Sequence, residues 1–179
     1  MRILLFCLSL AIGQSAWAQD NAGDWRPTLN RMWGMWNLVC DERGDAAAPE
    51  QRCYLRYVDV FSPAPQFAAH FIEISYDHGV PRFEYGAEHG TRFDPDGWAI
   101  HDLTTGALWS PTLRTCLRGG PCVYEGDAAA PVIAALREGG RIEFRFTDRN
   151  GIRRDLAWSL DGVGEALDVL IAESAARGI

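Results

Sequence analysis

From residue 142 to residue 160 the chain alternates with a period of two, breaks once, and resumes. Ile142, Phe144 and Phe146 share one side, Asp148-Arg149-Asn150-Gly151 interrupts, and Ile152, Arg154, Leu156, Trp158 and Leu160 continue the pattern. Only a strand places alternate residues on one face, and an Asn-Gly turn supplies positive φ, so the segment is expected to form a β-hairpin. The same grammar recurs upstream. Tyr54 to Phe61 reads as a strand ended by Ser62-Pro63-Ala64-Pro65, and Gln66 to Tyr76 as another ended by Asp77-His78-Gly79. Arg82 to Tyr85 and Gly90 to Phe93 are brief extended pieces, and Asp94-Pro95-Asp96-Gly97 supplies a turn before Trp98 to His101.

Two segments carry a helical period instead. Ala128 to Leu136 has Pro131 in its first turn and Gly139-Gly140 as its stop. Gly162 to Arg177 lines Val163, Leu167, Leu170, Ile171 and Ser174 along one face, as a terminal amphipathic helix should. The expected fold is mainly β: an antiparallel β-sandwich or open barrel with one short helix and a C-terminal amphipathic helix.

The N-terminus bounds the compartment. One basic residue, an apolar run from Ile3 to Ile12 and the triplet Ala16-Trp17-Ala18 have the form of a secretory signal peptide cleaved after Ala18. Residues 1–18 are therefore expected to be the signal and 19–179 a single β-rich domain in the periplasm or secreted. The apolar run is shorter than the roughly 20 residues a membrane-spanning helix needs, so the mature chain is expected not to span a membrane. Cys7 leaves with the signal. Cys40, Cys53, Cys116 and Cys122 remain, an even set where oxidising conditions favour disulfides. Four cysteines allow three pairings; closeness in sequence selects Cys40 with Cys53 and Cys116 with Cys122. No C-x-x-C pair suggests zinc.

Charge narrows the partners. The chain has a formal net charge of −7, becoming −8 when the signal takes away Arg2, and it contains no lysine. A surface this acidic repels phosphate backbones, so nucleic acid is not an expected partner.

The last third, from Cys116 to Leu170, resembles the invasion-associated locus B family. The likeness lies in Cys116-x5-Cys122, the helix ending Leu136-Arg137-Glu138-Gly139, the strand ending Phe146-Thr147-Asp148 with Gly151 after it, and Ser159-Leu160-Asp161-Gly162-Val163 leading into Ala166-Leu167. Near the mature start, Trp36-Asn37-Leu38-Val39-Cys40 followed by Cys53 resembles that family's spaced tryptophan and cysteines. The segment from about Phe61 to Pro111 departs from the pattern. The resemblance implies an exported β-rich protein linked to host-cell colonisation and to no established chemistry; it supplies no catalytic residues, and no cofactor is expected.

That divergent middle holds His70, His78, His89 and His101 among Asp77, Glu84, Glu88, Asp94, Asp96 and Asp102. It supports a second reading, a periplasmic enzyme or metal-binding protein, if imidazoles and acids converge. Asp94-Pro95-Asp96-Gly97 resembles the opening of a calcium loop, yet Thr105 stands where the bidentate glutamate belongs. Ser62, Ser75, Ser110 and Ser159 lack a glycine-flanked elbow, and four paired cysteines leave no nucleophilic thiol. Trp36 and Trp158 belong to strand patterns and are expected in the core. Trp98 and Trp109 flank a turn-rich stretch, with core packing the first expectation for both rings, and Arg118 rides a tip stiffened by Cys116 and Cys122; these three are the candidate partner surface. The first reading is an exported, non-enzymatic binding protein with a protein or carbohydrate partner in the envelope or on a host surface.

Overall fold

The computed structural model describes residues 24–62, 68–87, 90–101, 108–109 and 121–179, with the backbone alone at 61, 62, 68, 93–98, 101, 108 and 109. Cys40 and Cys53 lie directly opposite each other on neighbouring antiparallel strands, β2 (Trp36–Arg43) and β3 (Glu50–Ser62), and are bonded as expected. β1 (Arg26–Trp33) folds back on β2 through Gly34-Met35, with Gly34 at φ 59° taking the left-handed position such a two-residue turn requires. β4 (Ala68–Asp77) and β5 (Val80–Ala87) continue the sheet, and β8 (Cys122–Glu125) closes its far edge, giving the order β1-β2-β3-β4-β5-β8. A second open antiparallel sheet has the order β10-β9-β6-β7, from β6 (Arg92–His101), β7 (Leu108–Trp109), β9 (Arg141–Thr147) and β10 (Arg153–Ser159).

The core lies between the two sheets and under two helices. From the large sheet come Trp36, Leu38, Leu55, Tyr57, Ile72, Ile74, Phe83 and Tyr85; from the small sheet come Ile100, Ile142, Phe144, Phe146 and Trp158. Aromatic stacking joins the layers, with Tyr57 on Trp158 at 4.2 Å and Tyr85 on Phe144 at 5.4 Å between ring centroids. The Trp158 indole donates to Asp59 at 2.8 Å and the Trp36 indole to the Ser159 carbonyl at 3.0 Å, so neither N–H is left unsatisfied inside. A 3₁₀ turn (Gly126–Ala128) leads into α1 (Ala130–Arg137), whose Val132, Ile133 and Leu136 are buried. α2 (Val163–Arg177) buries Val163, Ala166, Leu167, Leu170 and Ser174. Ile171, expected on that face, is instead 39% exposed, and Ala166 takes its place because the buried stripe is centred one residue further round the helix.

Two turn expectations change in detail. In the 142–160 hairpin only Gly151 has positive φ. The Asp148 amide donates to the Ile152 carbonyl and the Gly151 amide to the Asp148 carbonyl, a longer turn ending in one left-handed glycine. The Asp148 carboxylate has no exposed surface and accepts from the Asn150 and Ile152 amides and from Arg154. Burial would raise its pKa, but those hydrogen bonds outweigh it and hold the group below the usual carboxylate range. The turn with two positive φ angles is His78-Gly79, at 48° and 80°. Asp94-Pro95-Asp96-Gly97 does not end a strand: it lies inside β6, where the pairing with β9 jumps from Phe93 to Trp98. A proline cannot donate to the ladder, so the strand carries the four residues as an irregularity.

Candidate functional site

His70 and His78, the two histidines with described side chains, do not converge. His70 is fully buried on β4, its Nδ1 2.7 Å from the Tyr85 hydroxyl, with the Phe146 ring 4.2 Å away. Burial lowers its pKa from the ordinary 6.5 to about 3, so the imidazole is neutral at physiological pH. His78 stands exposed at the β4–β5 turn beside Asp77. His101 ends β6, paired with Arg141 and Leu108 through the backbone, and His89 lies outside the described residues. Among the described residues no three His, Cys, Asp or Glu side chains are grouped to hold a metal.

The expected partner surface falls mostly outside what is described. Trp98 pairs with Phe144 and Trp109 with Ile100 by backbone register, placing both in the small sheet; Arg118 and Cys116 lie outside the described residues. Cys122, buried at the start of β8, is disulfide-bonded.

A different surface is built in full. Strands β2, β3, β4, β5 and β8 put one set of alternate residues into the core and the other onto the opposite face, which no described element covers, since α1 and α2 both pack on the core side. The register arranges that outer face in rows. One row runs Val58, Phe71, Gly86. The next runs Arg56, Glu73, Glu84, Val123, and the one beyond it Val39, Tyr54, Ser75, Arg82, Glu125. Val58, Val60 and Val123 are 47%, 53% and 42% exposed, among the most exposed large apolar side chains described. The Phe71 ring lies against Gly86: a Cβ there would stand 2.0 Å from it, so glycine alone admits this packing.

The polar end of the face is a cross-linked network. Arg52 lies 3.9 Å over the Trp25 ring, bonds Asp41 at 3.0 Å, and stands over Tyr54, whose hydroxyl also donates to Asp41 at 3.1 Å. Asp41 is thereby buried with its charge compensated, and Val39 and Tyr54 are buried although they sit on the open face. Arg43 stacks on Trp25 from 4.5 Å and chelates Glu50. In the central stripe Arg82 bridges Glu84 at 2.8 Å and Glu125 at 3.0 Å. Glu73 faces Glu84 directly across the strand gap, and burial, with Glu84 next, raises its pKa. Such an arrangement offers apolar contact bordered along one side by fixed charges of both signs, a means of recognising a macromolecular surface. Sequence reading missed it. The one available signal was in Tyr54 to Val60, where the residues opposite the core set are themselves half apolar.

No family model and no curated protein matches the chain. Among solved structures, the fold is similar to that in the crystal structure of invasion associated protein B from Bartonella henselae, with a TM-score of 0.51 and 20% sequence identity over 83% of this chain and 99% of that one.

Proposed function

We propose that this chain is an exported, non-enzymatic binding protein of the cell envelope that engages a macromolecular partner through the outer face of its six-stranded sheet. The observation that carries the reading is the corner made by exposed Val58 and Val60 with half-buried Phe71, on the two middle strands of the sheet and bordered by the Arg56, Glu73, Glu84 and Arg82 stripe. Fold similarity to an invasion-associated protein supports an envelope role connected with host-cell colonisation, and the signal-like N-terminus supports export. His70, the one fully buried histidine described, serves packing between the sheets rather than chemistry. The test is site-specific photo-cross-linking in the native envelope, with the probe at residue 60 on the outer face and, as control, at Asp155 on the small sheet. Adducts from 60 and none from 155 are expected; equal yields at both would refute the outer face as the binding surface.

A further inference from the structure

We infer that the outer face of the six-stranded sheet takes a second copy of this chain, packed face to face through the Val58, Val60 and Phe71 corner. This rests on the reading of that face as the binding surface and names its occupant. Charge is the first reason. Mature copies with a formal charge of −8 repel each other unless the surfaces that meet are nearly neutral and carry both signs. The central stripe meets that condition: Arg56 and Arg82 against Glu73, Glu84 and Glu125 leave a net charge of −1. A strongly basic partner has the acidic remainder of the molecule to choose from, and a strongly acidic one is repelled by it.

Self-complementarity is the second reason. A two-fold interface brings one patch onto itself, so every attractive contact must exist within a single patch. Arg56 and Glu73 are cross-strand neighbours of opposite sign, and a two-fold axis passing between them sets each arginine on the other copy's glutamate. Glu73 gains most, because within one chain it faces Glu84, a like charge directly opposite. Area is the third. Six strands about 4.8 Å apart and roughly eight residues long present roughly 750 Å², close to the about 800 Å² per partner of a standard interface. Two such sheets pack about 10 Å apart with interdigitated side chains, which short valines flanking Phe71 permit.

Sedimentation equilibrium of the mature, disulfide-intact protein tests this. A dimer is expected, weakened about tenfold or more by Val58→Lys, a change at the centre of the contact. Arg56→Glu should weaken it as well, and Arg56→Glu with Glu73→Arg should restore it, because the swapped patch is again self-complementary. Val60→Lys serves if circular dichroism shows Val58→Lys misfolded. A wild-type monomer throughout the micromolar range, or a dimer indifferent to both lysines, overturns the inference. Capture of a different protein from residue 60, with the purified chain monomeric, overturns the second copy while leaving the binding surface intact; a monomer with no adduct at residue 60 removes both.

Discussion

The two faces of the six-stranded sheet are made by the same strands and follow opposite rules. On the inner face alternate residues are apolar, sealed and matched ring to ring with the small sheet, as with Tyr57 on Trp158 and Tyr85 on Phe144. On the outer face the intervening residues are valines open to solvent and charges held in place by one another. The inner face owes its order to burial, so its residues set stability. The outer face is ordered by cross-strand pairing, so its residues can be spent on recognition with little effect on the fold.

The largest effect belongs to the rings that the small sheet packs against the inner face. Phe144 is fully buried and touches Tyr85, His70 and Trp158. Phe144→Ala should cost about 3–5 kcal/mol through lost transfer energy and the cavity left behind. Urea unfolding at neutral pH checks it, with the midpoint falling and the slope unchanged. A loss near zero would erase the contrast between the faces.

The Cys40–Cys53 bond comes next. It closes a separation of 13 residues, and its removal by the double change to serine should cost about 3 kcal/mol through a freer unfolded chain. The difference should vanish in reductant. Cys116→Ser tests the second expected pair, and its shorter loop should give about 2 kcal/mol. An unchanged melting midpoint for Cys116→Ser would reject that pairing.

His70 gives the inner face a pH dependence. Its folded pKa of about 3 lies below the ordinary 6.5, so between these values the unfolded chain binds a proton that the folded chain refuses. Stability is therefore complete above about pH 6.5 and falls as pH drops, by about 1.4 kcal/mol per pH unit from this group until pH 3. His70→Gln, which keeps a partner for the Tyr85 hydroxyl, should flatten the profile between pH 6 and pH 4. Equal slopes in the variant and the parent would show that other groups govern acid unfolding.

What the sequence made legible tracks how local the physics is. The 142–160 hairpin and α2 could be read because strict periodicity and a turn or glycine stop act within a few residues, and Cys40 with Cys53 could be paired because a short loop leaves little choice. β1 was not visible: RPTLNRMW has no clean alternation, since an edge strand exposes most of its residues. Asp94 to Gly97 misled because turn residues are also tolerated as an irregularity inside a paired strand. The candidate site was illegible for a further reason. Which alternate set of a strand stays uncovered depends on where α1, α2 and the small sheet dock, and the Trp25–Arg52–Asp41 network depends on chain segments folding onto one face. No local pattern carries that information.

The smallest effect has the sharpest sign. At Gly86 the backbone does not require glycine by its φ, so Gly86→Ala would ordinarily stabilise by about 0.4–1 kcal/mol by restricting the unfolded chain. Here the new Cβ would strike the Phe71 ring, which must leave its seat on the outer face, and overpacking of this kind costs about 1–3 kcal/mol. Gly86→Ala alone should therefore destabilise by about 1 kcal/mol, while the same change made on top of Phe71→Ala should stabilise. The reversal of sign in a double-mutant cycle, read by urea unfolding, would show that the order of the outer face lies in cross-strand pairs. Additive effects would mean that Phe71 does not hold its place on Gly86, leaving the apolar corner without the fixed shape that docking requires.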